Sequence, residues 1–253
     1  MLRASVLTVA LMVAVGAEAQ VIDERSTGPF TCRANFSLAG YEPLLAELAQ
    51  VQTDLMRVTG VAAARERVDL YFFSDERTYR DYLKSHFPQV PYRRALFVKG
   101  SGLGRVYVYR SPEMAVDVRH ESTHALLHAS LPMVPLWLDE GLAEYFEVPA
   151  DQRSSGHANR KRLTWKVFVG RPPRMADLEA KRELAEMTDA DYAYAWAWVH
   201  FMIEGPPEAR EELVRFLRDI GDSTTPGLLS QRLEARLPGL DRRFVAHFRS
   251  LQR

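Results

Sequence analysis

The stretch Ser111-Pro112-Glu113-Met114-Ala115-Val116-Asp117-Val118-Arg119-His120-Glu121-Ser122-Thr123-His124-Ala125-Leu126-Leu127-His128-Ala129-Ser130-Leu131 decides how the chain is read. Ser111 is a capping residue and Pro112 suits the first helical position, so a helix is expected from there to about Leu131. Val116, Ala125, Leu126, Leu127 and Leu131 supply its apolar packing. His120 and His124 stand about 40° apart around such a helix and one turn apart along it, so both imidazoles can reach one point. The pattern is H-E-x-x-H. Neutral imidazole nitrogens bind Zn²⁺ at about 2.0–2.1 Å. Glu121, beside the first histidine, can reach a water at such a metal without being a ligand.

Pro132 and Pro135 favour a tight reversal, with a second helix starting near Pro135. The rise from His124 to Leu131 is about 10 Å and from Pro135 to Glu140 about 8 Å, so an antiparallel return brings Glu140 level with His124. His120, His124 and Glu140 would then form a three-ligand set with an open fourth position, the pattern of a catalytic zinc. Glu144, one turn further, suits either acceptance of the free N–H of a ligand histidine or a solvated helix face. His128 has turned about 80° from His120, which strains simultaneous coordination, so it reads as a packed residue or a supporting one. His157 and His200 lack a partner pattern and read as structural or exposed.

Trp137-Leu138-Asp139-Glu140-Gly141-Leu142-Ala143-Glu144-Tyr145-Phe146 is similar to the W-L-x-E-G-x-A-x-Y segment of gluzincin metallopeptidases. With His124 followed by 15 residues and then Glu140, the chain resembles the small secreted peptidase MA-like bacterial proteins. The resemblance is tight over about Asp117 to Phe146. It implies a zincin-like fold, zinc on His120, His124 and Glu140, Glu121 as general base, and a peptide or protein substrate. A weaker likeness at Tyr192-Ala193-Tyr194-Ala195-Trp196-Ala197-Trp198-Val199-His200-Phe201 resembles the helix whose tyrosine stabilises the oxyanion in that clan. Tyr192 matches the position better than Tyr194. Aromatic packing on a buried helix is the competing reading for both. The aminopeptidase G-x-M-E-N strand is absent, so aminopeptidase specificity is not implied.

Towards the N-terminus, Tyr41 to Val58 carries apolar residues at helical spacing. Val68 to Phe73 reads as a strand, and a helix capped by Ser74 or Asp75 runs through Tyr79, Tyr82 and Leu83 and stops before Pro88. Ala95–Val98 and Arg105–Tyr109 read as a hairpin across Gly100-Ser101-Gly102. Strands in the first half and helices in the second predict α+β, with a small sheet packed on the active-site helix and a mainly helical C-terminal half.

Arg3, the apolar run Val6–Val15 and the small-x-small Ala17-Glu18-Ala19 predict a signal peptide over 1–19, cleaved before Gln20. The run is too short to span a bilayer, which takes about 20 residues. The mature chain is therefore expected to be exported, periplasmic or secreted, with no stable membrane anchor. Residues 20–253 are expected to form one peptidase domain, with an α/β part to 110 and a helical part carrying the metal from 111. Cys32 is the one cysteine, so no intrachain disulfide is possible, and it reads as a small buried hydrophobe. Lysine plus arginine number 33 and so do aspartate plus glutamate, which removes the electrostatic case for a nucleic-acid partner. Arg160, Lys161, Arg162 and Lys166 read as a solvated face in preference to a carboxylate site. Arg171-Pro172-Pro173-Arg174 reads as a stiff connector. The expected function is zinc-dependent hydrolysis of peptide bonds. Its alternatives are a zinc-binding module without peptidase activity and a hydrolase of another amide or cell-wall bond.

Overall fold

The computed structural model describes residues 21–100, 103–155, 157 and 174–251. The expected leader, Ser101 and Gly102 of the hairpin turn, the cations Arg160 to Lys166 and the connector Arg171–Pro173 lie outside the described residues. Two compact units are distinguished. One comprises the described residues up to Asp54 and within Ala63–Ser130, the other Leu55–Ala62 and the described residues from Leu131 onward.

Among the described residues the first unit holds five strands: β1 (Asp23–Thr27), β2 (Phe30–Ala34), β3 (Val68–Phe73), β4 (Ala95–Lys99) and β5 (Gly104–Tyr109). Their order is β1-β2-β3-β5-β4. β2, β3 and β5 run parallel, and each edge strand pairs antiparallel with its neighbour. Central β3 reads Val-Asp-Leu-Tyr-Phe-Phe and is buried on both faces, which is why it shows as a nearly continuous apolar run. β1 and β2 were not expected from the sequence. β1 is Asp-Glu-Arg-Ser-Thr, a polar edge strand without the β-branched and aromatic signature. Its return into β2 uses Gly28 at φ +50, where an added Cβ would also stand 3.0 Å from the Ala49 Cα. Cys32 is fully buried on β2, and burial pushes its thiol up to about 12.

Helix α1 (Glu42–Thr59) and helix α2 (Glu76–His86) lie within a residue or so of their expected spans. Asp75 caps α2, accepting from the Thr78 amide at 2.9 Å. Tyr79 and Leu83 of α2 meet Phe73, Leu96, Tyr107 and Tyr109 of the sheet in one cluster of buried side chains. Helix α3 (Met114–Ser130) packs on β4 and β5. It begins at Met114, later than the sequence suggests. The Ser111 carbonyl accepts from the Met114 amide at 3.2 Å and its hydroxyl from the Glu113 amide at 3.2 Å, so 111–114 closes as a separate turn before the helix.

α3 is also enclosed rather than amphipathic, with every residue from Asp117 to Leu127 buried. Burial on that scale requires partners for the polar side chains. Asp117 accepts from Arg94 at 2.7 and 2.6 Å. Arg119 donates to Glu47 at 2.7 Å, and the Thr123 hydroxyl to the Arg119 carbonyl at 2.9 Å.

The second unit is helical: α4 (Leu136–Phe146), α5 (Met175–Glu179), α6 (Asp189–Glu204), α7 (Pro207–Gly221), α8 (Leu229–Arg236) and α9 (Leu240–Ser250). α6 is its centre, packed by α4, α5, α7 and α9. Thr188 and Asp191 form a reciprocal capping box at its start. Trp196 and Trp198 bury their indoles along it, and Trp198 lies 4.1 Å from Phe244 between ring centroids. α4 approaches α6 closely at Gly141, where an added Cβ would stand 2.7 Å from the Ala195 carbonyl oxygen. The mixed α and β architecture, with strands first and helices after, is the one expected from the sequence.

Candidate metal centre

α3 carries His120 and His124 on consecutive turns. Their Nε2 atoms lie 3.2 Å apart, with the rings at 73° and their centroids 4.9 Å apart. Two nitrogens each about 2.05 Å from a tetrahedral cation stand about 3.3–3.4 Å from one another. The pair is thus spaced as two ligands of one ion would be. His120 is 4% exposed and His124 fully buried.

The chain passes from α3 through Leu131–Pro135 into α4, where Pro135 precedes the first turn and its carbonyl accepts from Leu138 and Asp139. Every residue of α4 from Trp137 to Phe146 is buried. Glu140 is among them, fully enclosed. His120 and His124 on α3 and Glu140 on α4 are each buried side chains of metal-ligating type. A carboxylate without exposure is costly unless a cation or donors balance it, and two imidazoles with a carboxylate are a recognised donor set for a divalent ion. These buried residues could hold a metal ion.

Glu121 is fully buried beside the first of the pair. Its charge is felt at Tyr79, whose phenol is pushed up first by burial and next by the Glu121 carboxylate. Tyr79 donates to the Arg93 carbonyl at 3.0 Å.

A second group of titratable side chains follows Glu140 along the chain, and sequence reasoning finds only half of it. Glu144 is fully buried on the same helix. His157, read from the sequence as structural or exposed, is buried at 4% exposure. Its Nε2 lies 3.1 Å from Glu147 and 4.0 Å from Glu144, and its ring stacks on Trp196 at 4.8 Å. Glu147 was missed. The signal was present, because Glu140, Glu144 and Glu147 recur at i, i+4 and i+7 on one helical face. The His157 pairing had no such signal, since it joins residues across the short 3₁₀ turn Ala150–Gln152.

Tyr192 is buried in the first turn of α6 and Tyr194 is half-buried. His128 stacks on Phe97 with centroids 5.8 Å apart and an angle of 28°. His200 is buried, with Nδ1 3.0 Å from His247 Nε2 and Nε2 3.0 Å from the Ser154 carbonyl oxygen.

A family model described as "Protein of unknown function (DUF1570)" matches residues 114–226. The match opens on the first residue of α3, runs past α7, and so includes His120, Glu121, His124, Glu140, Glu144 and Tyr192. Its description assigns no activity and carries no chemistry to this chain. No curated protein matches.

Proposed function

We propose that the chain is an exported zinc metallopeptidase of the gluzincin kind, with zinc held by His120, His124 and Glu140. The observation that carries this reading is the 3.2 Å separation of the two Nε2 atoms on α3, the spacing of two ligands of one ion, and a fully buried Glu140 supplies the carboxylate. Zinc bound there would supply a Lewis acid that polarises the scissile carbonyl.

The remaining chemistry belongs to the side chains. The Glu121 carboxylate takes a proton from the attacking water as its oxygen bonds to the carbonyl carbon. It returns that proton to the amide nitrogen as the C–N bond breaks, leaving a carboxylic acid and an amine. Glu144 accepts the free N–H of a ligand histidine and fixes its orientation. The Tyr192 hydroxyl donates to the oxyanion that develops on the substrate. The leader-like residues 1–19 support export. No helix among the described residues is long and apolar enough to cross a membrane.

Replacing Glu121 with glutamine separates proton transfer from metal binding. Zinc content should be unchanged, while hydrolysis of a casein or peptide-library substrate should fall by at least about 10²-fold. A variant as active as the wild type would refute the role of Glu121.

One observation favours a second reading, a zinc-binding module without peptidase activity. His124, Glu121 and Glu140 are fully buried, and a structural site is closed where a catalytic one keeps a position open. Wild-type protein that holds zinc, loses thermal stability on chelation and cleaves nothing in broad libraries would establish it.

A further inference from the structure

The first unit contains an open cavity of about 170 Å³ that the proposed hydrolytic chemistry does not use. It lies where β3 and β5 begin, β4 ends and the last turns of α3 pass, and its apolar wall is Val68, Ala125, Ala129 and the stacked Phe97 and His128. Gly104 belongs to the same wall, and a Cβ there would stand 3.0 Å from the Phe97 ring. The absence of a side chain at position 104 leaves room beside the Phe97 ring, which is itself buried and backs the half-buried ring of His128.

Three cations, Arg65, Arg67 and Lys99, line the cavity against a single carboxylate, Glu66. None of the three forms an ion pair among the described residues. Arg67 is anchored, its Nη2 donating to the Phe30 carbonyl at 2.6 Å and its Nε to the Thr31 hydroxyl at 3.1 Å. These are neutral acceptors, so they fix the guanidinium without cancelling its charge. The C-terminal end of α3 contributes about half a negative charge, which the excess of cations outweighs.

We propose that this cavity binds a small organic anion, a carboxylate carried on an apolar or aromatic body. The anionic group meets Arg65, Arg67 and Lys99, and the body lies on His128, with Phe97 stacked behind it. The volume sets the size of the ligand. Sites for drug-sized molecules run to about 300–1,000 Å³, so this one takes a fragment the size of a single residue or a simple aromatic acid. The inference is independent of the metal reading, because every residue it uses lies in the first unit and none is a proposed zinc ligand.

The test is a titration of the zinc-replete mature protein with benzoate, followed by NMR of the Ala125 and Ala129 methyls and the His128 ring. Saturable shifts at these residues are expected, with none from benzylamine, which has a similar body and the opposite charge. Lys99→Ala should weaken benzoate binding about fivefold and Glu66→Gln should tighten it, whereas Arg77→Ala on the exposed face of α2 should leave it unchanged. Benzoate bound at zinc instead would be indifferent to Lys99→Ala, so that indifference overturns the proposal. An absence of saturable shifts, equal binding of benzylamine, or an equal loss in Arg77→Ala also overturns it.

Discussion

Gly141 directly follows the proposed ligand Glu140 on α4, and its replacement by alanine should be costly although alanine is the better helix former. In an isolated helix the change gains about 1 kcal/mol. Here the new Cβ would stand 2.7 Å from the Ala195 carbonyl oxygen, 2.8 Å from its carbon and 2.8 Å from a Val199 methyl. Carbon contacts are comfortable at about 3.5 Å and beyond, so the methyl is too close by about 0.7 Å. Two of the three obstacles are backbone atoms of α6, which no rotamer change can move. Relief requires α4 and α6 to separate along a packed face. Overpacking of this kind costs about 1–3 kcal/mol, and a backbone obstacle places it at the upper end. Set against the propensity gain, the net loss is about 2 kcal/mol. For a chain of this size that lowers Tm by about 4–8 °C. Differential scanning calorimetry of wild type and Gly141→Ala measures the shift, and zinc affinity measured on the same samples should fall with it because Glu140 is displaced. An unchanged or raised Tm would refute the close-approach argument and leave this glycine without a structural reason.

Burial, with the neighbouring His200, pushes the His247 imidazole down to about 4. An unfolded histidine titrates near 6.5, so between about pH 6.5 and 4 the unfolded chain binds a proton that the folded chain refuses. Stability from this group is therefore complete above that window and lost as pH falls through it. Urea midpoints against pH should drop less steeply in His247→Gln, and an identical slope would contradict the assignment. For Cys32, a thiol at about 12 is thiolate in only about one molecule in 10⁴ at pH 8. A thiol reagent should label it slowly in the native protein and at once in urea, whereas stoichiometric native labelling within minutes would contradict its burial.

Local chemistry explains what could be read in advance. The H-E-x-x-H histidines need only helical periodicity, and Pro132 and Pro135 mark the break between α3 and α4. β3 announced itself because a strand buried on both faces must be apolar throughout. β1 and β2 could not be read in the same way. β1 faces solvent at alternate positions and is polar, and β2 is five residues long and joins β3 through a parallel pairing with residues 38 positions away. The start of α3 slipped because Ser111 and Pro112 serve a turn as well as they serve a cap. Gly141 was visible only as part of a resemblance, and its reason lies on α6, over fifty residues along the chain. His157 is the clearest case of a residue hidden from sequence. Its pairing with Glu147 and Glu144 depends on how the chain folds back after α4.

If His120, His124 and Glu140 hold one zinc ion together, as proposed, removal of the Glu140 carboxylate must weaken metal binding. Zinc content by mass spectrometry and affinity by chelator competition would be measured on wild type and variant, with circular dichroism to show that both are folded. Loss of a partner behind a ligand already costs about 10–100-fold in affinity, so loss of a ligand should cost at least about 100-fold. The predicted result is about one zinc per wild-type chain and at least that weakening in the variant. A folded Glu140→Ala that keeps its full zinc at unchanged affinity would contradict the assignment.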